Sequence, residues 1–257
     1  DLFMNETARE YAHVFLPAAS SFEKDGTFMN AERRVQRVRR ALAPPGEARS
    51  DWEMVRDLAA ALGHGARFEF DSAEAIWNEI RAVWPQAAGM SYARLDRGGL
   101  QWPCPDEQHP GTTILHRDMF PIGPRAALRR IDYHATPEVV SPDYPFRLMT
   151  GRTLYAFNAG TMTQRTPNRI LRPTDTLDIC AADAQRLGLA DRERVRMRSR
   201  YGETLLPVRV SASVKTGELF ATFHDPAVCL NNLTGPQRDR FVKTPEYKVT
   251  AVRIERI

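Results

Sequence analysis

Two neighbouring segments hold the residue types best suited to chemistry: Thr150-Gly151-Arg152 and Asn158-Ala159-Gly160-Thr161-Met162-Thr163. An expected strand, Phe146–Thr150, leads into an arginine whose planar fork can grip an anion with two hydrogen bonds. The loop that follows offers backbone N–H groups, an amide and hydroxyls around a glycine. Such a loop suits phosphate or a polar heterocycle. On these residues alone, an ordinary loop between strands fits equally well. The rest of the chain is more easily excluded from chemistry. Six histidines (His13, His64, His109, His116, His134 and His224) include no helical i, i+4 pair and no H-E-x-x-H, which argues against a metalloprotease site. Cys104, Cys180 and Cys229 form no C-x-x-C pair, so a zinc ribbon or an iron–sulfur cluster held by this chain is not expected. Cys180 falls on an expected strand and reads as a small buried hydrophobe. Ser20-Ser21 lacks a nucleophile elbow, and no phosphate-binding G-x-G-x-x-G or Walker loop occurs. No catalytic and no metal-ligating residue is assigned.

The elements that must position these segments belong to a globular chain. Its 257 residues could form one large domain or two ordinary ones. Hydrophobic residues make up 42% and charged residues 26%, which opposes disorder and coiled coil. No apolar run approaches the roughly 18 residues of a membrane span. Only four of the 36 basic residues are lysines (Lys24, Lys215, Lys243 and Lys248). The arginine excess fits either the codon usage of a GC-rich genome or an anionic ligand. The arginines are interleaved with acids rather than clustered, which opposes a nucleic-acid surface.

Residues 6–12 read as a short helix and His13–Pro17 as a short strand. Glu23–Asn30 is turn-rich, with Gly26 suited to a left-handed conformation. Helices are expected over Trp52–Leu62, ended by Gly63, and over Ser72–Trp84, stopped by Pro85. Residues 86–145 show little periodicity and read as a linker over a surface. From Pro145 the pattern turns to β. Strands are expected at Phe146–Thr150, Thr176–Cys180, Arg194–Ser199, Glu203–Ser211, Glu218–Phe223 and Tyr247–Glu255, with one helix at Ala181–Leu187. Six short strands suggest a small closed barrel.

The chain resembles the C-terminal part of the catalytic α subunit of molybdenum- or tungsten-dependent formate dehydrogenases, within the molybdopterin oxidoreductase family. The resemblance runs through Glu23–Asn30, Glu32-Arg33-Arg34-Val35-Gln36, Gln101-Trp102-Pro103-Cys104-Pro105 and His109-Pro110-Gly111-Thr112. It continues through Thr150-Gly151-Arg152, Gly160-Thr161-Met162-Thr163, Asn231…Leu233-Thr234 and Thr244-Pro245-Glu246-Tyr247-Lys248. It covers nearly the whole chain.

The resemblance implies an α+β fold, with a C-terminal six-stranded double-psi β-barrel preceded by the remnant of an α/β domain and a helical, irregular linker. It divides the chain at 1–60, 61–144 and 145–257. It implies a molybdopterin guanine dinucleotide cofactor, carried as a pair with Mo or W, faced by Thr150, Gly151, Arg152 and Gly160, Thr161, Met162, Thr163. Asn231, Tyr247 and Lys248 would bond the cofactor's polar edges. Relatives often carry a histidine where Ala156 stands, so one donor is absent or is supplied by Asn158 or Tyr155. The metal ligand, the catalytic groups and the 4Fe-4S clusters would lie in other segments. The abrupt start at Asp1-Leu2-Phe3 reads as a fragment, expected to be inactive alone and, with Val14, Phe15 and Leu16 exposed, to self-associate or to be less ordered than the barrel. Expected partners are the remainder of the α subunit and electron-transfer subunits, in the cytoplasm, with no nucleic acid and no membrane segment. The alternatives are a nitrate reductase-like relative and a non-catalytic barrel module.

Overall fold

The computed structural model describes Asp1–Ile257. The chain forms two compact units, Asp1–Leu128 and Arg129–Ile257.

The first unit holds helix α1 (Glu6–Tyr11), strands β1 (Gly26–Met29) and β2 (Arg34–Val38), helices α2 (Asp51–Ala61), α3 (Ala73–Val83) and α4 (Tyr92–Leu95), and strand β3 (Leu100–Gln101). The strands form one antiparallel sheet in the order β1-β2-β3. Helix starts follow local chemistry. Asn5 accepts the Ala8 N–H at 2.9 Å, and Ser72 accepts the Ala75 N–H at 3.1 Å, each satisfying a donor the first helical turn would leave open. The Glu53 carboxylate reaches back to the Ser50 N–H at 3.0 Å. The core gathers Val35, Trp77, Ala87, Met90, Tyr92, Leu95 and Cys104, and Trp77 donates its indole N–H to the Met90 carbonyl at 2.6 Å. The stretch after residue 86 therefore contributes core residues to this unit.

Two local expectations are corrected here. His13–Pro17 forms no strand: Val14 is 74% exposed, and the nearest pairing is a lone bridge between Ala18 and Arg49. An apolar run without a neighbouring edge leaves its backbone to water and gains nothing from extension. Gly26 opens β1 opposite Val38 and has no positive φ.

In the second unit the strands are β4 (Phe146–Gly151), β5 (Leu177–Ile179), β6 (Arg194–Arg198), β7 (Glu203–Val210), β8 (Glu218–Thr222) and β9 (Val249–Arg256), with helix α5 (Ala181–Arg186) after β5. They close into a barrel in the order β4-β8-β5-β7-β6-β9. β4 runs parallel to β8 and β5 parallel to β7; the other neighbours are antiparallel. This is the closed six-stranded mixed barrel that the resemblance implied. Alternation fixes which side faces in. Phe146 and Leu148 of β4, Val195 and Met197 of β6, and Leu206 and Val208 of β7 enter one core with Leu177, Ile179, Leu219 and Val252. Burying each such side chain stabilises the fold by roughly 1.5–3 kcal/mol.

Asp178 stands between Leu177 and Ile179 on the opposite face of β5, yet is 1% exposed. Arg209, its register partner on β7, grips it with Nε at 2.7 Å and with Nη2. A second guanidinium, that of Arg172, lies 3.7 Å away and donates to Thr176 at 2.5 Å. Burial, reinforced by repulsion from Arg209, lowers the Arg172 pKa, whereas the Asp178 bond raises that of Arg209. Cys180 is the N-cap of α5 rather than a buried hydrophobe. It is half-buried, and its thiol points to the Asp183 carboxylate at 3.4 Å.

Candidate functional site

At one end of the barrel, the segments after β4, after β8 and before β9 enclose a cleft of about 500 Å³. Arg152, Asn158, Ala159, Phe223, Asn231 and Tyr247 line it, together with Thr234, Gly235 and Pro245. The segment leaving β4 supplies Arg152. Its guanidinium takes part in no ion pair, whereas Arg198 lies 2.7 Å from Glu203 and 3.6 Å from Glu255. An unpaired cation beside two amides and two aromatic rings is a donor set for an anion attached to a flat, polar-edged group.

Several expected residues act behind this lining rather than in it. Thr150 is buried, and its hydroxyl donates to the Tyr247 carbonyl at 2.8 Å, tying the start of the cleft to its far wall. Gly151 leaves the room that the Phe220 ring fills. Gly160 sits at φ +76, a left-handed turn in which its N–H donates to Phe157 O at 2.9 Å and its carbonyl accepts from Gln164 N at 2.8 Å. The Thr163 hydroxyl accepts the Phe157 N–H at 3.1 Å and pins the same loop. Thr161 and Met162 are exposed and do not line the cleft. Lys248 is exposed too, with its ammonium 5.6 Å from the Tyr247 ring centroid.

Beneath the Gly160 turn, buried Asp175 accepts the N–H groups of His224 at 2.9 Å and Asp225 at 3.0 Å. The His224 Nδ1 lies 2.7 Å from the same carboxylate, and its Nε2 lies 3.1 Å from the Arg172 carbonyl. Gln164 donates to that carbonyl at 3.4 Å, so the turn and the end of β8 share one support. Phe223, Thr234, Gly235 and Pro245 were not named as site residues; Thr234 and Pro245 lie in stretches that carry the resemblance, Gly235 follows Thr234, and Phe223 ends an expected strand with no further signal. No group of three or more His, Cys, Asp or Glu side chains is placed to hold a metal ion.

Residues 146–251 match the family described as the molydopterin dinucleotide binding domain, and residues 1–61 match molybdopterin oxidoreductase. The chain belongs to the molybdopterin oxidoreductase family. Over its whole length it is 43% identical to the F420-dependent formate dehydrogenase subunit alpha of Methanocaldococcus jannaschii, and 99% of it aligns at 37% identity with the assimilatory nitrate reductase catalytic subunit of Bacillus subtilis. The chain spans 38% of the first relative's length and 37% of the second's. Among solved structures, acetylene hydratase from Pelobacter acetylenicus superposes with a TM-score of 0.69 over 94% of this chain and 38% of its own, at 16% identity, which establishes a shared fold. As a member of this family, the chain carries a domain for a molybdopterin dinucleotide, and the donor set of the cleft suits that cofactor. No helix is long and apolar enough to cross a membrane.

Proposed function

We propose that this chain forms part of the catalytic subunit of a formate dehydrogenase, and that its barrel closes over a molybdopterin guanine dinucleotide. The observation that carries the reading is the 43% identity to a formate dehydrogenase α subunit across the full chain, above the 37% to the nitrate reductase. Residues 1–60 would continue an α/β domain, 61–144 would connect it, and 145–257 would be the barrel.

In this reading Arg152 holds a phosphate, Asn158 and Asn231 bond polar edges, and Tyr247 and Phe223 flank flat surface. Thr150, Gly151 and Gly160–Thr163 shape the wall, and Lys248 adds a cation beside Tyr247. A metal bound to the dinucleotide pair would supply the redox chemistry, the conversion of formate to carbon dioxide with release of two electrons and a proton. This chain's own residues orient and enclose the cofactor. The electrons would leave through iron–sulfur clusters held elsewhere in the subunit and through electron-transfer subunits. Three free cysteines support a reducing, cytoplasmic setting.

The test compares the complete subunit with the 257-residue chain alone, by formate-dependent dye reduction. The complete subunit is expected to reduce dye with formate and not to oxidise or reduce nitrogen oxyanions. The chain alone is expected to be inactive. Dye reduction by the chain alone, or a complete subunit that turns over nitrate and not formate, would overturn the proposal.

A further inference from the structure

Glu138 lies in the irregular stretch before the barrel, yet is only 3% exposed. A buried carboxylate is costly unless its lone pairs are filled, and here they are. Its Oε2 accepts the Ala251 N–H of β9 at 3.0 Å. Its Oε1 accepts the Tyr201 hydroxyl and, at 3.4 Å, the Gln237 side-chain amide. Gln237 also donates to the Tyr201 hydroxyl at 2.8 Å, closing a triangle. Arg200 Nη1 stands 3.6 Å from Oε2 and balances the charge.

Both walls of the loop that lines the cleft hang on this triangle. Gly235 presses against Tyr201 and Gln237: a Cβ there would stand 2.8 Å from the Tyr201 ring and 2.0 Å from Gln237 Oε1. On the other side the Gln237 carbonyl accepts the Glu246 N–H at 2.9 Å, directly between Pro245 and Tyr247 of the cleft. Glu138 itself does not line the cleft. Its carboxylate also holds the Tyr201 hydroxyl proton, raising that group's pKa.

We infer that Glu138 is a positioning residue: through Tyr201 and Gln237 it fixes the segment 234–247, and so sets how tightly the cleft retains its dinucleotide. The retention part of this inference rests on the cofactor reading above; the positioning part does not.

The experiment uses the complete subunit with Glu138→Ala, Glu138→Gln and Tyr201→Phe, and reads two quantities. One is amide exchange at Thr234 and Glu246, with the β6 amides as an internal standard. The other is pterin content after dialysis. Each lost hydrogen bond is expected to speed exchange at Glu246, and to weaken retention, by about threefold to tenfold, with β6 unchanged. Glu138→Gln should recover only part of what Glu138→Ala loses, because its single amide oxygen can accept from Tyr201 while its NH2 then faces the Ala251 N–H. Should Glu138→Ala fail to fold, Tyr201→Phe and Glu138→Gln decide the matter. Unchanged exchange at Glu246 in Tyr201→Phe would overturn the inference. Faster exchange with full pterin retention, while Arg152→Ala loses pterin, would overturn the link to binding. Full retention in every variant, Arg152→Ala included, would overturn the site reading and the link with it.

Discussion

Gly160 and His224 approach so closely that a Cβ on the glycine would stand 2.8 Å from the histidine carbonyl oxygen. The same atom would meet the Gln164 Cγ at 2.8 Å, on a backbone already at φ +76. Gly160→Ala therefore combines strain with a backbone clash. It should destabilise the barrel by about 1–3 kcal/mol, read from urea midpoints. A loss near zero would mean that the turn relaxes freely.

Arg152 should behave differently, as a residue of binding rather than stability. A hydrogen bond to a charged group is worth about 1.5–3 kcal/mol. In the complete subunit, Arg152→Ala should weaken cofactor retention by roughly tenfold to a hundredfold. Arg152→Lys should recover only part, since an ammonium lacks the fork. Arg198, held by Glu203 and Glu255 on the surface, is the control. Equal cofactor content in Arg152→Ala and Arg198→Ala after dialysis would make Arg152 a structural arginine.

Asp178→Ala would strand Arg172, whose side chain is 14% exposed, without its carboxylate. Removing one partner of a buried pair costs about 3–5 kcal/mol. Arg209 is half-exposed and can rehydrate, so the lower end applies. Chemical denaturation showing a loss below about 1 kcal/mol would refute this.

Asp183 gives the barrel an acid-sensitive point. Burial pushes its pKa up, but hydrogen bonds from Arg186, the Gly217 N–H and Cys180 together outweigh that, and the carboxyl ends below its reference value of 3.8. A depressed folded pKa stabilises above the unfolded value, and that stability disappears as pH falls through the folded value. The stability gap between the native chain and Asp183→Asn should therefore be full near neutrality and shrink below about pH 4. A constant gap between about pH 6 and pH 3 would count against the assignment.

Hydrogen exchange should separate the two ends of the chain. Val14 and Leu16 are exposed and pair with no strand, whereas β6 is bonded on both sides by β7 and β9. In a dilute sample, amides of residues 13–16 should exchange at least about a hundredfold faster than those of β6. Similar protection in both places would show that the first segment is covered, as by a second copy.

The barrel was legible because its strands alternate. Val195 and Met197, or Leu206 and Val208, announce an inward face without help from distant residues. The strand order was not legible, since the parallel pairing of β5 with β7 depends on a crossover that leaves no periodic trace. For the same reason Asp178 stood unremarked inside the expected strand Thr176–Cys180, and its partner Arg209 could not be named. His13–Pro17 misled because a short apolar run looks the same with or without a neighbouring edge. In the cleft, Arg152 and Asn158 were legible from residue type and position, whereas Asn231 and Tyr247 were reached through resemblance alone. Glu138 was invisible: a single acid in a stretch without period gives no sign of the three donors that fold onto it.

The pairing of β9 with both β4 and β6 has a consequence for synthesis on the ribosome. Until residue 256 has cleared the exit tunnel, β4 and β6 each present an open edge, the kind that recruits strands from other chains. Arg152 also emerges about a hundred residues before Tyr247, so the nascent chain carries one wall of the cleft well ahead of the other. The cleft therefore cannot close around a dinucleotide until its second wall, which holds Tyr247, has left the tunnel and folded onto the first.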